Sequence, residues 1–165
     1  MLSVGTSAPE IDALSTNGTR FVLSEAQASS LCTIVYFFPR SFTPGCIEEA
    51  HYFKQAYPEL ALAGATLVGV SADSLETQCE FAKSVGATFP IVPDPDKKLC
   101  EAYDVLLPIV GVSMRITYVI VEGKIAAAYR HHWSIEKHRD DVLKFVDELY
   151  NKKKTARESM RPPRA

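Results

Sequence analysis

"VYFFPRSFTPGCIEEA", residues 35–50, decides how the rest of the chain is read. It opens inside a continuous aromatic and aliphatic run, "LCTIVYFFP" (31–39), of the length and character of a strand buried on both faces. The run stops at Pro39. Seven residues later, directly after Thr43-Pro44-Gly45, stands Cys46. If Thr43 is a helix N-cap, Pro44 takes the first helical position, where its fixed φ suits the helix and its missing N–H is not needed. Gly45 and Cys46 then lie in the first turn. Free N–H groups and the positive end of the helix dipole stabilise an anion there. The thiolate is the reactive form of cysteine, so this placement suits a nucleophile. A small buried apolar residue is the ordinary role of a free cysteine, but that role does not account for the strand, turn and helix start in front of it.

Outward from this stretch, strand-like and helix-like segments alternate. "EEAHYFKQAYPELALA" (48–63) has apolar residues at Ala50, Phe53, Tyr57 and Leu60, a helical spacing, and "ATLVGVSA" (65–72) returns to strand. "SLETQCEFAKSVG" reads as a helix capped by Asp73 and stopped by Gly86. "TFPIVPDPD" (88–96) is a short strand closed by a Pro-Asp turn, "KKLCEAY" a short helix, and "RITYVIVEGKIAAAYR" (115–130) a hairpin about Glu122-Gly123. A last helix is expected from about Ser134 to Tyr150, with Ile135, His138, Val142, Phe145, Val146 and Leu149 on one stripe. This pattern predicts an α/β domain over residues 1–150. Residues 151–165 are polar and basic, contain two prolines, and are expected to be disordered.

The 165 residues are 47% apolar and 23% charged, values of an ordinary globular protein large enough for its own core. The net charge of −2 gives no reason to expect nucleic acid or a membrane surface as partner. That charge is unevenly spread: residues 151–165 hold three Lys, three Arg and one Glu, +5 against −7 for the remainder. No apolar run reaches the ~20 residues of a membrane span, and "MLSVGTSAPE" has neither the basic nor the apolar region of a secretory signal. A reducing, cytoplasmic setting is the expectation, and Cys32, Cys46, Cys79 and Cys100 are not read as a structural disulfide framework.

Several chemistries of a reactive thiol are excluded. A tyrosine phosphatase needs an arginine six residues after the cysteine, and position 52 is Tyr. A thioredoxin-type exchange centre needs C-x-x-C, whereas Cys46 is followed by Ile47, Glu48 and Glu49. A zinc site needs closely paired ligands, and no two cysteines are nearer than fourteen residues. A protease or acyl transferase wants a histidine base, and nothing in the sequence places His51, His131, His132 or His138 beside Cys46.

Pro39-Arg40-Ser41-Phe42-Thr43-Pro44-Gly45-Cys46 fits P-x-x-x-[TS]-x-x-C, and so resembles the active-site signature of the peroxiredoxins. The form FTPGC followed by Glu49 and Ala50 is similar to the bacterioferritin comigratory protein, or peroxiredoxin Q, branch. "VGTSAPEIDAL", "LVGVSADSLETQCEFAKSVGATFPIVPDPDKKLCEAYDV" and "MRITYVIVEGKI" extend the likeness over most of the chain. The resemblance implies a thioredoxin-like fold: a central mixed β-sheet flanked by helices, with an N-terminal peroxiredoxin-type extension. It implies a thiol-dependent peroxidase that reduces hydrogen peroxide and organic hydroperoxides through a sulfenic acid at Cys46, the first rung of cysteine oxidation. By the same resemblance Thr43 offers its hydroxyl to thiolate and peroxide, Arg115 stabilises the thiolate and the leaving oxygen, Pro39 shields the pocket, and Glu49 orients Arg115. No cofactor or metal is called for. Thioredoxin or a similar dithiol is the expected reductant, and a monomer or weak homodimer the expected state.

The sulfenic acid must be resolved by a second thiol. No cysteine follows Cys100, which excludes the arrangement with a resolving cysteine in a C-terminal arm. Many relatives place it five residues after the nucleophile, where this chain has His51. Cys79 is the next candidate, on the helix where other members of the branch carry a resolving cysteine. Cys32 and Cys100 are expected in the core. If Cys79 is structural, the enzyme is of the one-cysteine type and uses an external thiol; a non-catalytic thioredoxin-fold binding or holdase module is the alternative from another class.

Overall fold

The computed structural model describes residues 1–130 and 134–163. The elements run β1 (Asp12–Leu14), β2 (Arg20–Val22), α1 (Leu23–Ser29), β3 (Cys32–Phe37), α2 (Pro44–Leu62), β4 (Ala65–Ser71), α3 (Leu75–Val85) and β5 (Ile91–Pro93). They continue with α4 (Lys98–Ala102), β6 (Leu106–Leu107), β7 (Val112–Ser113), β8 (Ile116–Val121), β9 (Lys124–Tyr129) and α5 (Ile135–Ser159). A five-stranded mixed sheet in the order β5-β4-β3-β8-β9 forms the centre. β3, β4 and β5 are parallel neighbours, and β8 returns antiparallel beside β3.

The apolar run that opened the sequence reading is the central strand, and both of its faces are buried. Ile34 and Tyr36 face a core shared with Phe53 of α2, Phe81 of α3 and Val142 and Val146 of α5. Val35 and Phe37 face the opposite core, with Ile11, Leu23, Tyr103 and Tyr118. A strand with α2, α3 and α5 against one face and the N-terminal segment, α1 and α4 against the other has no polar side to expose, which is why its sequence does not alternate. Gly69 of β4, in register with Tyr36, leaves room for that ring: a Cβ there would stand 2.9 Å from it.

Three elements differ from expectation. Ser74 rather than Asp73 caps α3, its hydroxyl accepting from the Thr77 N–H. α1 has no counterpart in the sequence reading, because its only buried residue is Leu23 and no apolar stripe announces it. The last helix does not end near Tyr150: α5 continues to Ser159, through residues expected to be disordered. Six of the nine added residues, Lys152, Lys153, Lys154, Ala156, Arg157 and Glu158, have good helix propensity and continue an already nucleated helix at little cost. Among the described residues no helix is long and apolar enough to cross a membrane.

Candidate active site

β3 delivers the chain to Phe38 and Pro39, and α2 begins five residues beyond Pro39. Between them the chain turns sharply, with Phe42 at φ 65°, a left-handed conformation uncommon for a bulky residue. The loop is tied down from beneath. The Asp73 carboxylate accepts from the Ser41 N–H (2.8 Å), the Ser41 hydroxyl (2.9 Å) and the Ser71 hydroxyl (2.7 Å). Gln78 of α3 donates in turn to the Ser71 hydroxyl at 2.9 Å. With Ser74 as the cap, Asp73 is released to hold the loop. On the other side the Ser113 hydroxyl donates to the Phe38 carbonyl at 2.8 Å.

Thr43 is the N-cap in backbone terms, extended at φ −77° and ψ 147°, and Pro44 follows as the first helical residue. The Thr43 side chain does not cap the helix: its hydroxyl donates to the Arg40 carbonyl at 2.9 Å and closes the loop. The first backbone bond of α2 runs from the Ile47 N–H to the Thr43 carbonyl, so the N–H groups of Gly45 and Cys46 precede the helical ladder. Cys46 is buried at this end, 1% exposed.

Arg115, just ahead of β8, reaches across to α2. One terminal nitrogen donates to Glu49 Oε2 at 2.9 Å and the other approaches the Cys46 sulfur at 3.5 Å. The planar fork of a guanidinium makes the two contacts from separate nitrogens at a fixed spacing, where an ammonium offers a single point charge. Gly45 explains its own identity here: a Cβ would lie 3.1 Å from that second nitrogen. Ile135 of α5 packs against the same glycine.

Glu49 is fully buried, and among the described residues Arg115 alone bonds its carboxylate, through Oε2. Burial pushes its pKa up to about 7, against the pull of the guanidinium. Arg115 is in turn raised: burial works against its charge, but Glu49 and Cys46 outweigh that penalty. The Tyr36 phenol, buried under the same helix, is raised well above its usual range by burial and then by Glu49 and Cys46.

The structure thus brings Cys46, Glu49 and Arg115 into contact, with Thr43 and half-buried Pro39 on the loop beside them. Cys79 is not in that group. It is exposed on α3, and all four cysteines are free. Cys32 and Cys100 are buried; burial raises the Cys32 thiol to about 12 and the Cys100 thiol further still. His51, in the position after the nucleophile that many relatives use, is exposed, while His131 and His132 lie outside the described residues. The Ser41–Asp73–Ser71–Gln78 network and the Ile135 contact escaped sequence reasoning. Their only signal was a cluster of short polar residues after β4, which reads equally well as a helix cap.

A model of the AhpC/TSA family matches residues 4–128 of this chain. Peroxiredoxin Bcp of Xanthomonas campestris pv. campestris is 34% identical over 117 residues, 67% of this chain and 72% of that protein. The chloroplastic peroxiredoxin Q of Sedum lineare is 35% identical over 118 residues, 70% of this chain and 63% of the plant protein. The solved structure of peroxiredoxin Q from Xanthomonas campestris superposes with a TM-score of 0.77 at 30% identity, over 91% of this chain and 98% of that one. That of peroxidoxin BcpB from Mycobacterium tuberculosis, at 24% identity, shares the fold with a TM-score of 0.82, over 90% of this chain and 98% of that one.

Proposed function

The chain belongs to the AhpC/TSA family and is a peroxiredoxin, and on that premise we propose that its peroxidase chemistry is carried by Cys46, Arg115, Glu49 and Thr43. The observation that supports this reading is the single guanidinium held between a buried carboxylate and the sulfur of a cysteine in the first turn of a helix.

The Cys46 thiolate attacks one peroxide oxygen in line with the O–O bond. An S–O bond forms, the O–O bond breaks, and the leaving oxygen departs as hydroxide or alkoxide and takes a proton, giving water or an alcohol. The product is a sulfenic acid. Negative charge spreads over sulfur and both oxygens in the transition state, so donors fixed in advance lower the barrier. Arg115 and the Cys46 N–H supply them. Glu49 holds the guanidinium, and the charge of Arg115 does not titrate away. Thr43 keeps the loop closed through the Arg40 carbonyl and, on this reading, turns its hydroxyl to the thiolate and peroxide when substrate arrives, with Pro39 shielding them.

A second thiol then attacks the sulfenic sulfur, forming a disulfide and releasing water. Cys79, exposed on α3, is the intramolecular candidate; without it an external thiol does the same. Because Cys46 is buried and Cys79 faces solvent, bonding within the ~4.4–6.8 Å Cα spacing of a disulfide requires residues 43–50 to unwind. A thioredoxin-like dithiol completes the cycle in a reducing, cytoplasmic setting, with the enzyme acting as a monomer or weak homodimer. Hydrogen peroxide and organic hydroperoxides are the proposed substrates. The second is supported by the 28% identical bacterioferritin comigratory protein of Xanthomonas campestris, whose structure was determined for its alkyl peroxide reduction. Stopped-flow mixing with each peroxide tests the reading: second-order consumption abolished in Cys46→Ser supports it, and a parent protein no faster than free cysteine refutes it.

A further inference from the structure

The long last helix carries a surface that the peroxide site does not use. From Tyr150 onward α5 turns Lys153, Lys154 and Arg157, with Arg161 just past its end, into one cavity of about 610 Å³. These positions recur every three or four residues and share a face of the helix. Across from them stand Leu31, Leu62 and Ala63, at the start of β3 and the end of α2. Leu62 lies sixteen residues beyond Cys46 on the same helix, about 24 Å along its axis, so this cavity is separate from the active site.

Two features of the cavity are costly without an occupant. Like charges at i, i+3 and i+4 repel, and one acid, Glu158, shares the cavity with four cations. The apolar side is open as well: Leu62 is 87% exposed and Tyr150 43%. A ligand with negative charge alone would answer the first feature and leave the second.

Spacing narrows the choice. Lys153 and Arg157 are four residues apart, a rise of about 6 Å along the helix, and Arg161 follows just past the helix end. In an extended peptide, residues two apart are separated by ~6.6 Å and project to the same side. A chain in which acidic and apolar residues alternate therefore sets successive carboxylates against Lys153 and Arg157 and an apolar side chain against the Leu31–Leu62 wall.

We propose that this cavity is a docking site for an extended segment of a partner protein in which Glu or Asp alternates with apolar residues. The test is fluorescence anisotropy of a labelled peptide alternating glutamate and valine, titrated with the whole chain at low salt. The expected result is saturable binding, weakened ~tenfold or more by Arg157→Glu, by Leu62→Ser, and by a block-order peptide of the same composition. Arg161→Glu, outside the helix, gives the same weakening without perturbing it. Hydrogen peroxide consumption stays at the parent rate in all three variants and certifies their fold. Absence of saturable binding overturns the proposal. So does equal binding of the block-order peptide, or equal displacement by inorganic polyphosphate or by phosphatidylglycerol vesicles, since either shows recognition of charge alone. Sedimentation that finds copies of this chain associating through this face, dispersed by Arg157→Glu, overturns it in favour of self-assembly.

Discussion

Arg115→Ala removes one positive charge from 3.5 Å of the Cys46 sulfur. With an effective dielectric of about 20, suited to a partly buried pair, 332/(20 × 3.5) gives about 5 kcal/mol of attraction to a thiolate. An attraction of that size to the leaving oxygen, which gains its charge only in the transition state, would if lost slow peroxide attack by more than three orders of magnitude, at about 1.4 kcal/mol per decade. Glu49 reduces that figure. It is buried, its carboxylate bonds Arg115 alone among the described residues, and its pKa already stands at about 7. Without the guanidinium it rises further and Glu49 takes up a proton, which removes a negative charge from the same pocket. The net expectation is a loss of about 10²–10³ in the second-order rate constant. Stopped-flow consumption of hydrogen peroxide at neutral pH measures it, with circular dichroism to confirm the fold. The proton uptake has its own signature: Arg115→Ala/Glu49→Gln should match Arg115→Ala alone, because the glutamate is already neutral there. A single variant within tenfold of the parent rate would refute the electrostatic role of Arg115. A double variant that recovers activity would show that Glu49 stays charged after Arg115 is lost.

The same geometry sets three more expectations. Glu49 carries a folded pKa of about 7 against an ordinary 4.5, so the native state holds that proton longer, and stability falls as pH climbs from 4.5 to about 7. Glu49→Gln should erase that part of the slope, worth about 3 kcal/mol across the window; denaturant unfolding at several pH values reads it, and parallel curves for parent and variant count against the buried ionisation. Gly45→Ala places a methyl 3.1 Å from the Arg115 nitrogen, so the guanidinium must shift by a few tenths of an ångström; a severalfold slower peroxide reaction with little change in melting temperature is expected, and an unaltered rate means the arginine need not be held there. One equivalent of peroxide followed by non-reducing mass mapping should yield a Cys46–Cys79 peptide, lost in Cys79→Ser; a sulfenate or sulfinate on Cys46 with Cys79 free assigns the enzyme to the one-cysteine type.

What was legible in the sequence is what local physics dictates. Residues 31–39 admit one reading, because nine consecutive residues with almost no polarity fit a strand covered on both sides, and the structure makes this β3. Gly86 is legible as a helix stop because it adopts φ 66°, where L residues are strained. Tertiary hydrogen bonds were not legible. Asp73 sits where a capping residue belongs, and only the approach of Ser41 and Ser71 redirects it to the loop. Arg115 and Glu49 are sixty-six residues apart, and neither the helix face nor the strand start announces the other. The family likeness joined them where periodicity had nothing to say. α5 outruns its expected end for a different reason: basic composition reads as disorder, although lysine, alanine and arginine are good helix formers once a helix is under way.

The buried pair also says what the fold gives up for the site. A lone buried Arg–Glu pair is often no more stable than apolar residues of the same volume, since desolvation offsets the attraction. Here the cost is visible in the raised Glu49 pKa, because an acid that benefited fully from its partner would titrate lower than 4.5. The pair is therefore expected to weaken the folded state at neutral pH while holding the guanidinium 3.5 Å from the sulfur. An Arg115→Met/Glu49→Met variant separates the two. If the site is kept for chemistry, this protein should unfold at equal or higher denaturant than the parent and consume peroxide orders of magnitude more slowly. If it unfolds earlier, the pair supports the fold, and the stability argument made from Glu49 fails.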